Sequence, residues 1–164
     1  MSMIGHLRAV DDHIIDGVLA APDTIHEIVH PDEEEGGTEH LDIDKSWHTI
    51  HYVLAGETWG GDLPLGFLVA GGAAVGEEDV GYGPARAFRP AEVSEIAAAV
   101  SAISDATFRE RFSVERLKEA DVYPSFGHAS DEEEIPYFLD YFQQVRSFVQ
   151  VAAQHKKGLI IYVD

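Results

Sequence analysis

The stretch IPYFLDYFQQVRSFVQVAAQHKKGLIIYV at residues 135–163 carries the pattern that decides the fold class. It predicts one long helix over residues 135–157, because apolar residues recur every three or four positions, at 135, 138, 142, 145, 149 and 152. Gly158 is placed to end this helix in a left-handed conformation. The unbroken apolar run at residues 159–163 then predicts a strand that is covered on both faces.

The start of this helix has two competing signals. Ser130 and Glu133 match a capping box, in which each residue's side chain bonds to the other's backbone N–H. Pro136 instead favours the first turn of a helix that starts later. The sequence leaves the choice between the two starts open.

Two further strands and several shorter helices are predicted upstream. Residues 3–10 and 85–88 have the apolar bias of short strands, and Pro90 suits the first turn of a helix. Residues 45–55 predict a helix with Asp44 as its cap. Shorter helical segments are expected at residues 12–20, 25–29, 65–69 and 108–117, and an exposed loop at 32–38.

Strands are few and widely separated, and helices fill the intervals between them. This order predicts an α+β fold with a small mixed sheet that includes the N-terminal and C-terminal strands and is packed by several helices. The length of 164 residues fits a single domain over residues 1–164, because one hydrophobic core usually suffices at this size.

The charge balance limits the classes of partner. The net charge is -19, from 30 acidic and 11 basic residues, and residues 1–44 hold twelve acids and one base, Arg8. Such a field repels nucleic acid and anionic lipid, so the expected partner is a basic protein. The alternative is that the acids only maintain solubility. No pattern indicates the oligomeric state.

Cysteine is absent, which excludes disulfides, thiolate zinc sites and a cysteine nucleophile. The N-terminal residues lack the basic and apolar regions of a signal peptide. The longest apolar runs fall far short of the roughly 20 residues that a membrane span needs. We therefore expect a cytoplasmic protein without a membrane partner.

Several segments together resemble a known family. They include MSMIG at 1–5, LDIDKSWHTIHYVLAG at 41–56, PLGFLVAGG at 64–72, GYGPARAFRPAEV at 81–93 and FSVERLKEADVYP at 112–124, followed by the terminal helix and LIIYVD. In these segments the chain resembles the YfbM-like proteins, a bacterial domain of unknown function. Ser2 departs from the Met-Gly start that is common in that family. The resemblance implies an α+β fold and a cytoplasmic location, and no substrate, cofactor or catalytic residue.

The richest cluster of chemically active side chains surrounds the start of the predicted helix at 45–55. Its members are Asp42, Asp44, Lys45, Trp47, His48 and His51. His51 falls on the same helix face as Trp47, where burial could tune an imidazole for acid or base work. This makes His51, Asp44 and Lys45 the catalytic candidates, and Asp42, Trp47 and His48 candidates for ligand binding. In the structural alternative, Asp44 caps the helix and His51 bonds to a buried carbonyl.

Two weaker patterns in the sequence bear on ion binding. His48 and His51 have a spacing that suits metal ligation, but no HExxH motif is present, so no metal site and no cofactor are expected. Arg86 and Arg89 form a small basic spot for an anionic ligand, unless they pair with nearby acids.

The sequence favours a binding or regulatory protein over an enzyme, because no catalytic signature is present. We expect an acidic surface that meets a basic protein partner, as in an inhibitor or immunity-type protein. The alternative is a small enzyme with a pocket around His51, Asp44, Lys45 and Trp47.

Overall fold

The computed structural model describes residues 2–31 and 39–164. The exposed loop predicted at residues 32–38 lies outside the described residues. The described residues form five strands and seven α-helices, which in chain order are β1 (Gly5–Val10), α1 (Asp12–Ala20), α2 (Ile25–Val29), β2 (His40–Asp42), α3 (Trp47–Ala55), β3 (Ala73–Ala74), β4 (Arg86–Phe88), α4 (Pro90–Ser101), α5 (Asp105–Arg111), α6 (Val114–Glu119), α7 (Asp131–Gln154) and β5 (Gly158–Val163).

The five described strands form one sheet in the order β2-β1-β5-β4-β3. Every pairing between the described strands is antiparallel, including the central pair of β1 and β5. The α+β class and the presence of both terminal strands in the sheet are confirmed, whereas the predicted mixture of strand directions is wrong. Residue patterns identify strands but not their relative direction, which depends on how the connections cross the sheet.

Helices cover both faces of this sheet, as β5 shows. Leu159 and Ile161 belong to the larger core, which includes residues of α3 to α7. Ile160 and Tyr162 belong to the smaller core, which includes residues of α1 and α2. All four side chains are at most 3% exposed, so the prediction of a strand covered on both faces is confirmed.

The long helix starts at its capping box. The Ser130 hydroxyl accepts a hydrogen bond from the Glu133 N–H, and the Glu133 carboxylate accepts one from the Ser130 N–H at 2.8 Å. These bonds satisfy N–H groups that the first turn of a helix leaves free. The earlier of the two predicted starts is therefore correct, and Pro136 lies inside the helix. No described helix, α7 included, is long and apolar enough to cross a membrane.

The end of α7 differs from the prediction. The helix ends at Gln154, and the left-handed residue after it is Lys156 (φ 54°) rather than Gly158. Gly158 is needed for a different reason, because a Cβ there would meet Ile15 Cδ1 and lie 2.6 Å from the Phe88 carbonyl oxygen. Close packing between β5, β4 and α1 therefore requires the glycine.

Candidate functional site

The polar residues before α3 form a tight turn rather than a helix cap. Asp44 has a left-handed backbone (φ 48°), and its N–H donates to the Asp42 carboxylate at 2.7 Å. The Asp44 carboxylate accepts a hydrogen bond from the Tyr137 hydroxyl at 2.8 Å, which ties this turn to α7. Burial, followed by this hydrogen bond, raises the pKa of Tyr137. The predicted capping role of Asp44 is wrong, because a 3-10 turn at Asp44–Ser46 precedes α3. Lys45 lies within that turn and is half-buried.

His51 lies in the interior rather than in an open pocket. Its side chain is 0% exposed, and neither ring nitrogen has a hydrogen-bond partner among the described residues. Burial, followed by the nearby charges of His48 and Arg86, lowers the pKa of His51 to about 4. The backbone of Glu57 opposes this shift, although it makes no hydrogen bond of ordinary geometry with the ring. A catalytic role for His51 stays a prediction, and its imidazole has no access to solvent in this structure.

His48, one turn earlier on α3, is buried but fully paired. Its Nε2–H donates to the Thr58 carbonyl at 2.8 Å, and its Nδ1 accepts from the Tyr123 N–H at 3.0 Å. Because the carbonyl can only accept and the amide can only donate, this arrangement selects one neutral tautomer. Burial lowers the pKa of His48, which keeps the ring uncharged. His48 therefore joins the loop after α3 to the segment after α6.

Trp47, His48, Trp59 and Tyr123 line a surface cleft of about 530 Å³, which we call the aromatic cleft. The His48 ring packs against both indoles, 5.0 Å from Trp47 and 4.3 Å from Trp59 between centroids, and the two indoles are 6.2 Å apart. Trp47 is only 5% exposed and donates from Nε1 to the Met3 carbonyl, whereas Trp59 is 63% exposed. The cleft thus has a fixed aromatic floor and one indole that faces solvent.

The surroundings of the aromatic cleft are acidic. A second cleft of about 460 Å³ adjoins it and shares Lys118 with it. The Lys118 ammonium donates to the Gly127 carbonyl at 2.7 Å. Against this one base, the two clefts are lined by four acids, Glu115, Glu119, Asp121 and Asp131. A cationic ligand therefore fits this surface better than an anionic one.

The two candidate arginines are both engaged within the protein. Arg86 donates to four backbone carbonyl oxygens, those of Phe67, Leu68, Ala70 and Gly71, at 2.7 to 3.1 Å. Its burial lowers its pKa to about 10. Arg89 pairs with Asp12 at 2.9 Å and with Asp16 at 2.7 Å, as the alternative of pairing with acids predicted. Neither guanidinium is available to an anion in this arrangement.

The arrangement of histidine and carboxylate side chains bears on metal binding. Within residues 2–31 and 39–164, no three His, Asp or Glu side chains are arranged to hold a metal ion. His48 and His51 do not form a pair of metal ligands, because both nitrogens of His48 are already bonded.

Comparison with known proteins assigns the family. The family described as a domain of unknown function (DUF1877) matches residues 1–162. The chain belongs to the DUF1877 family. Among solved structures it is similar to a protein of unknown function, YfbM, from Escherichia coli, with 23% sequence identity and a TM-score of 0.73 over 98% of this chain and 99% of that one. At this identity the likeness shows the fold alone, and no curated protein matches.

This DUF1877 chain also contains a polar cluster that the sequence did not indicate. His6 Nε2 lies 2.9 Å from the Asp164 carboxylate, and His6 Nδ1 lies 3.0 Å from His40 Nε2. The His6 ring stacks on Tyr162 at 4.7 Å. These residues meet because β1 lies between β2 and β5, and strand register cannot be read from residue spacing.

Trp59 and Asp121, two residues of the aromatic cleft in this DUF1877 chain, were also missed. Trp59 lies in the segment GETWGG, which has neither helical nor strand periodicity. A large aromatic residue in such a segment belongs to no helix or strand that would bury it, so its exposure could have been predicted. Asp121 is brought to the cleft by a left-handed turn after α6 (φ 55°), for which the sequence carries no comparable signal.

Proposed function

We propose that the chain is a binding or regulatory protein whose acidic surface meets a basic protein partner, as an inhibitor or immunity-type protein does. The observation that carries this proposal is the exposure of Trp59 at a cleft that contains Asp121 and adjoins a second cleft lined by three further acids. Tryptophan is enriched among the residues that dominate binding energy at protein interfaces. An exposed indole that rests on a buried aromatic floor is costly to present to water unless it meets a partner.

The overall charge supports the same kind of partner. With a net charge of -19, the protein attracts a basic surface over a distance of about one Debye length and repels nucleic acid. Association should therefore be fast at low salt and slower at high salt. A cytoplasmic location, expected from the sequence, is part of this proposal.

Site-directed crosslinking in the native host tests the proposal. A photo-crosslinking residue at position 125 places the probe at Ser125, which lines the aromatic cleft and is exposed. The same residue at position 82 is the matched control, because Tyr82 is also exposed and lies outside that cleft. We expect one basic protein to be captured from position 125 and not from position 82.

Two further measurements, the dependence of capture on salt and on Trp59 and the activity of the captured partner, complete the test. Capture from position 125 should decrease with added salt and in the Trp59→Ala variant, and the purified partner should lose its activity when the chain is added in equal amount. Capture of the same proteins from both positions, or capture that salt and Trp59→Ala leave unchanged, would contradict the proposal.

A further inference from the structure

We infer that the aromatic cleft holds one arginine side chain of the partner, with its guanidinium stacked on Trp59 and paired with the Asp121 carboxylate. This inference rests on the proposed function and names the chemistry that the cleft recognises. Three features carry it: an aromatic platform packed on His48, a carboxylate in the same cleft that no ion pair of the described residues uses, and an uncharged ring beneath the indole.

The backbone that precedes the platform is held by two hydrogen bonds of Thr58. Trp59 packs at 4.3 Å on the His48 ring, whose Nε2–H bonds to the carbonyl of Thr58, the residue next to Trp59. The Thr58 hydroxyl also donates to the Ala120 carbonyl at 3.3 Å, which ties the Trp59 loop to the end of α6. A fixed platform loses little conformational entropy when a ligand stacks on it.

The carboxylate that completes the site belongs to Asp121. Asp121 lines the same cleft as Trp59, and its charge is close enough to His48 to act on the pKa of that ring. Among the described ion pairs, none involves Asp121. The nearby Lys118 is bound to the Gly127 carbonyl instead. A carboxylate in this position can accept hydrogen bonds from an incoming cation.

The geometry favours guanidinium over ammonium. A guanidinium is planar, so it can stack on an indole and present two N–H groups to one carboxylate at the same time. An ammonium is more strongly hydrated and has no flat face. His48 beneath the indole is neutral, so it adds no charge that would oppose the cation.

Peptide binding measured by fluorescence anisotropy tests this inference. The probes are three short labelled peptides in which glycine alternates with arginine, lysine or citrulline, the uncharged analogue of arginine. At low ionic strength we expect the arginine peptide to bind roughly three- to fivefold more tightly than the lysine peptide, with the citrulline peptide the weakest. Binding of the arginine peptide should weaken with salt.

Four variants locate the site. Trp59→Ala should weaken the arginine peptide by about three- to fivefold and abolish its advantage over lysine. Asp121→Asn, which tolerates the left-handed backbone, should weaken it by about two- to fivefold. The matched controls Tyr82→Ala and Glu95→Gln change an exposed aromatic residue and an exposed acid elsewhere, and should leave binding unchanged. Circular dichroism checks that each variant is folded.

The outcomes separate this inference from the proposed function. Salt-sensitive binding of arginine and lysine peptides with equal strength, unaffected by Trp59→Ala, would overturn the arginine site and leave the acidic binding surface standing. If neither cationic peptide shows salt-sensitive binding, both the arginine site and the proposed function would be overturned. An arginine preference that Trp59→Ala and Asp121→Asn remove supports both.

Discussion

Two buried histidines one turn apart on α3 show how differently the same side chain can be accommodated. His48 has a hydrogen-bond partner on each ring nitrogen, whereas His51 has none among the described residues. A buried polar group without a partner loses its bonds to water and gains nothing in return. His48 therefore stabilises the fold, and His51 costs free energy.

Replacing each histidine by leucine should change stability in opposite directions. His51→Leu removes an unpaired polar ring, so we expect the free energy of unfolding at neutral pH to stay level or rise by about 1 kcal/mol. His48→Leu leaves the Thr58 carbonyl and the Tyr123 N–H without their partner, and should cost about 2 to 3 kcal/mol. Urea unfolding followed by circular dichroism measures both. A large loss in His51→Leu would indicate that the ring has a partner that this structure lacks.

The same histidines predict that the protein loses stability in mild acid. The pKa of His51 falls from 6.5 to about 4 on folding, because burial disfavours the charged ring. Between these values the unfolded chain binds more protons than the folded one, so stability decreases as pH falls. His48 and His40 add to this trend, since burial also lowers their pKa values.

For His51 alone, the expected loss between about pH 7 and pH 4 is on the order of 3 kcal/mol. Well above pH 6.5 His51 is neutral in both the folded and the unfolded chain, so it no longer makes the free energy of unfolding depend on pH. Urea unfolding across this range measures the loss, and His51→Leu should flatten the dependence on pH. A profile that is equally steep in wild type and His51→Leu would rule out His51 as its source.

At the scale of elements, Arg86 stabilises a segment that has no regular helix of its own. Residues 62–70 are folded as successive hydrogen-bonded turns, such as Ala70 N–H to the Gly66 carbonyl at 2.9 Å. The Arg86 guanidinium on β4 binds four carbonyls at the end of these turns, which a helix end leaves without partners. The Arg86 side chain therefore ties these turns to the sheet, in addition to the packing of Phe67 and Leu68 in the larger core.

Arg86→Met should destabilise the protein by about 2 to 4 kcal/mol, because it keeps the apolar part of the side chain but removes the guanidinium and leaves the four carbonyls without this partner. Hydrogen exchange should increase most at residues 66–70. Arg89→Gln is the matched control, since that arginine only pairs with exposed acids and should matter much less. Equal losses in the two variants would mean that the four carbonyl bonds contribute little.

Elements with long or repeated patterns could be predicted from the sequence, whereas only some of the short ones could, such as β4 and α2. Apolar spacing identified α7 and β5, whose burial follows directly from their composition. β2 was missed, because its three residues, His40–Asp42, include only one apolar side chain. The aromatic cleft joins Trp47, Trp59 and Tyr123 from separate parts of the chain, so their meeting depends on the tertiary structure.

At the scale of the whole molecule, the charge could be predicted and its arrangement could not. A net charge of -19 follows from counting residues, but counting cannot show that four acids line two adjoining clefts. The described ion pairs are partly exposed, and those not involving a histidine use three basic side chains, Arg89, Arg146 and Lys157. Exposed pairs contribute little, so repulsion among the remaining acids dominates the electrostatics of the folded state.

This imbalance predicts that salt stabilises the fold while it weakens partner binding. Sodium chloride screens repulsion more in the compact state than in the expanded unfolded chain, so the urea midpoint should rise between low salt and about 0.5 M. Glu95→Lys with Glu110→Lys, two exposed changes on α4 and α5, should raise the midpoint at low salt and flatten its dependence on salt. A midpoint that falls with salt would show that attractive pairs outweigh repulsion. Because screening acts on both processes, the salt range that weakens binding should be the range in which the free protein gains stability.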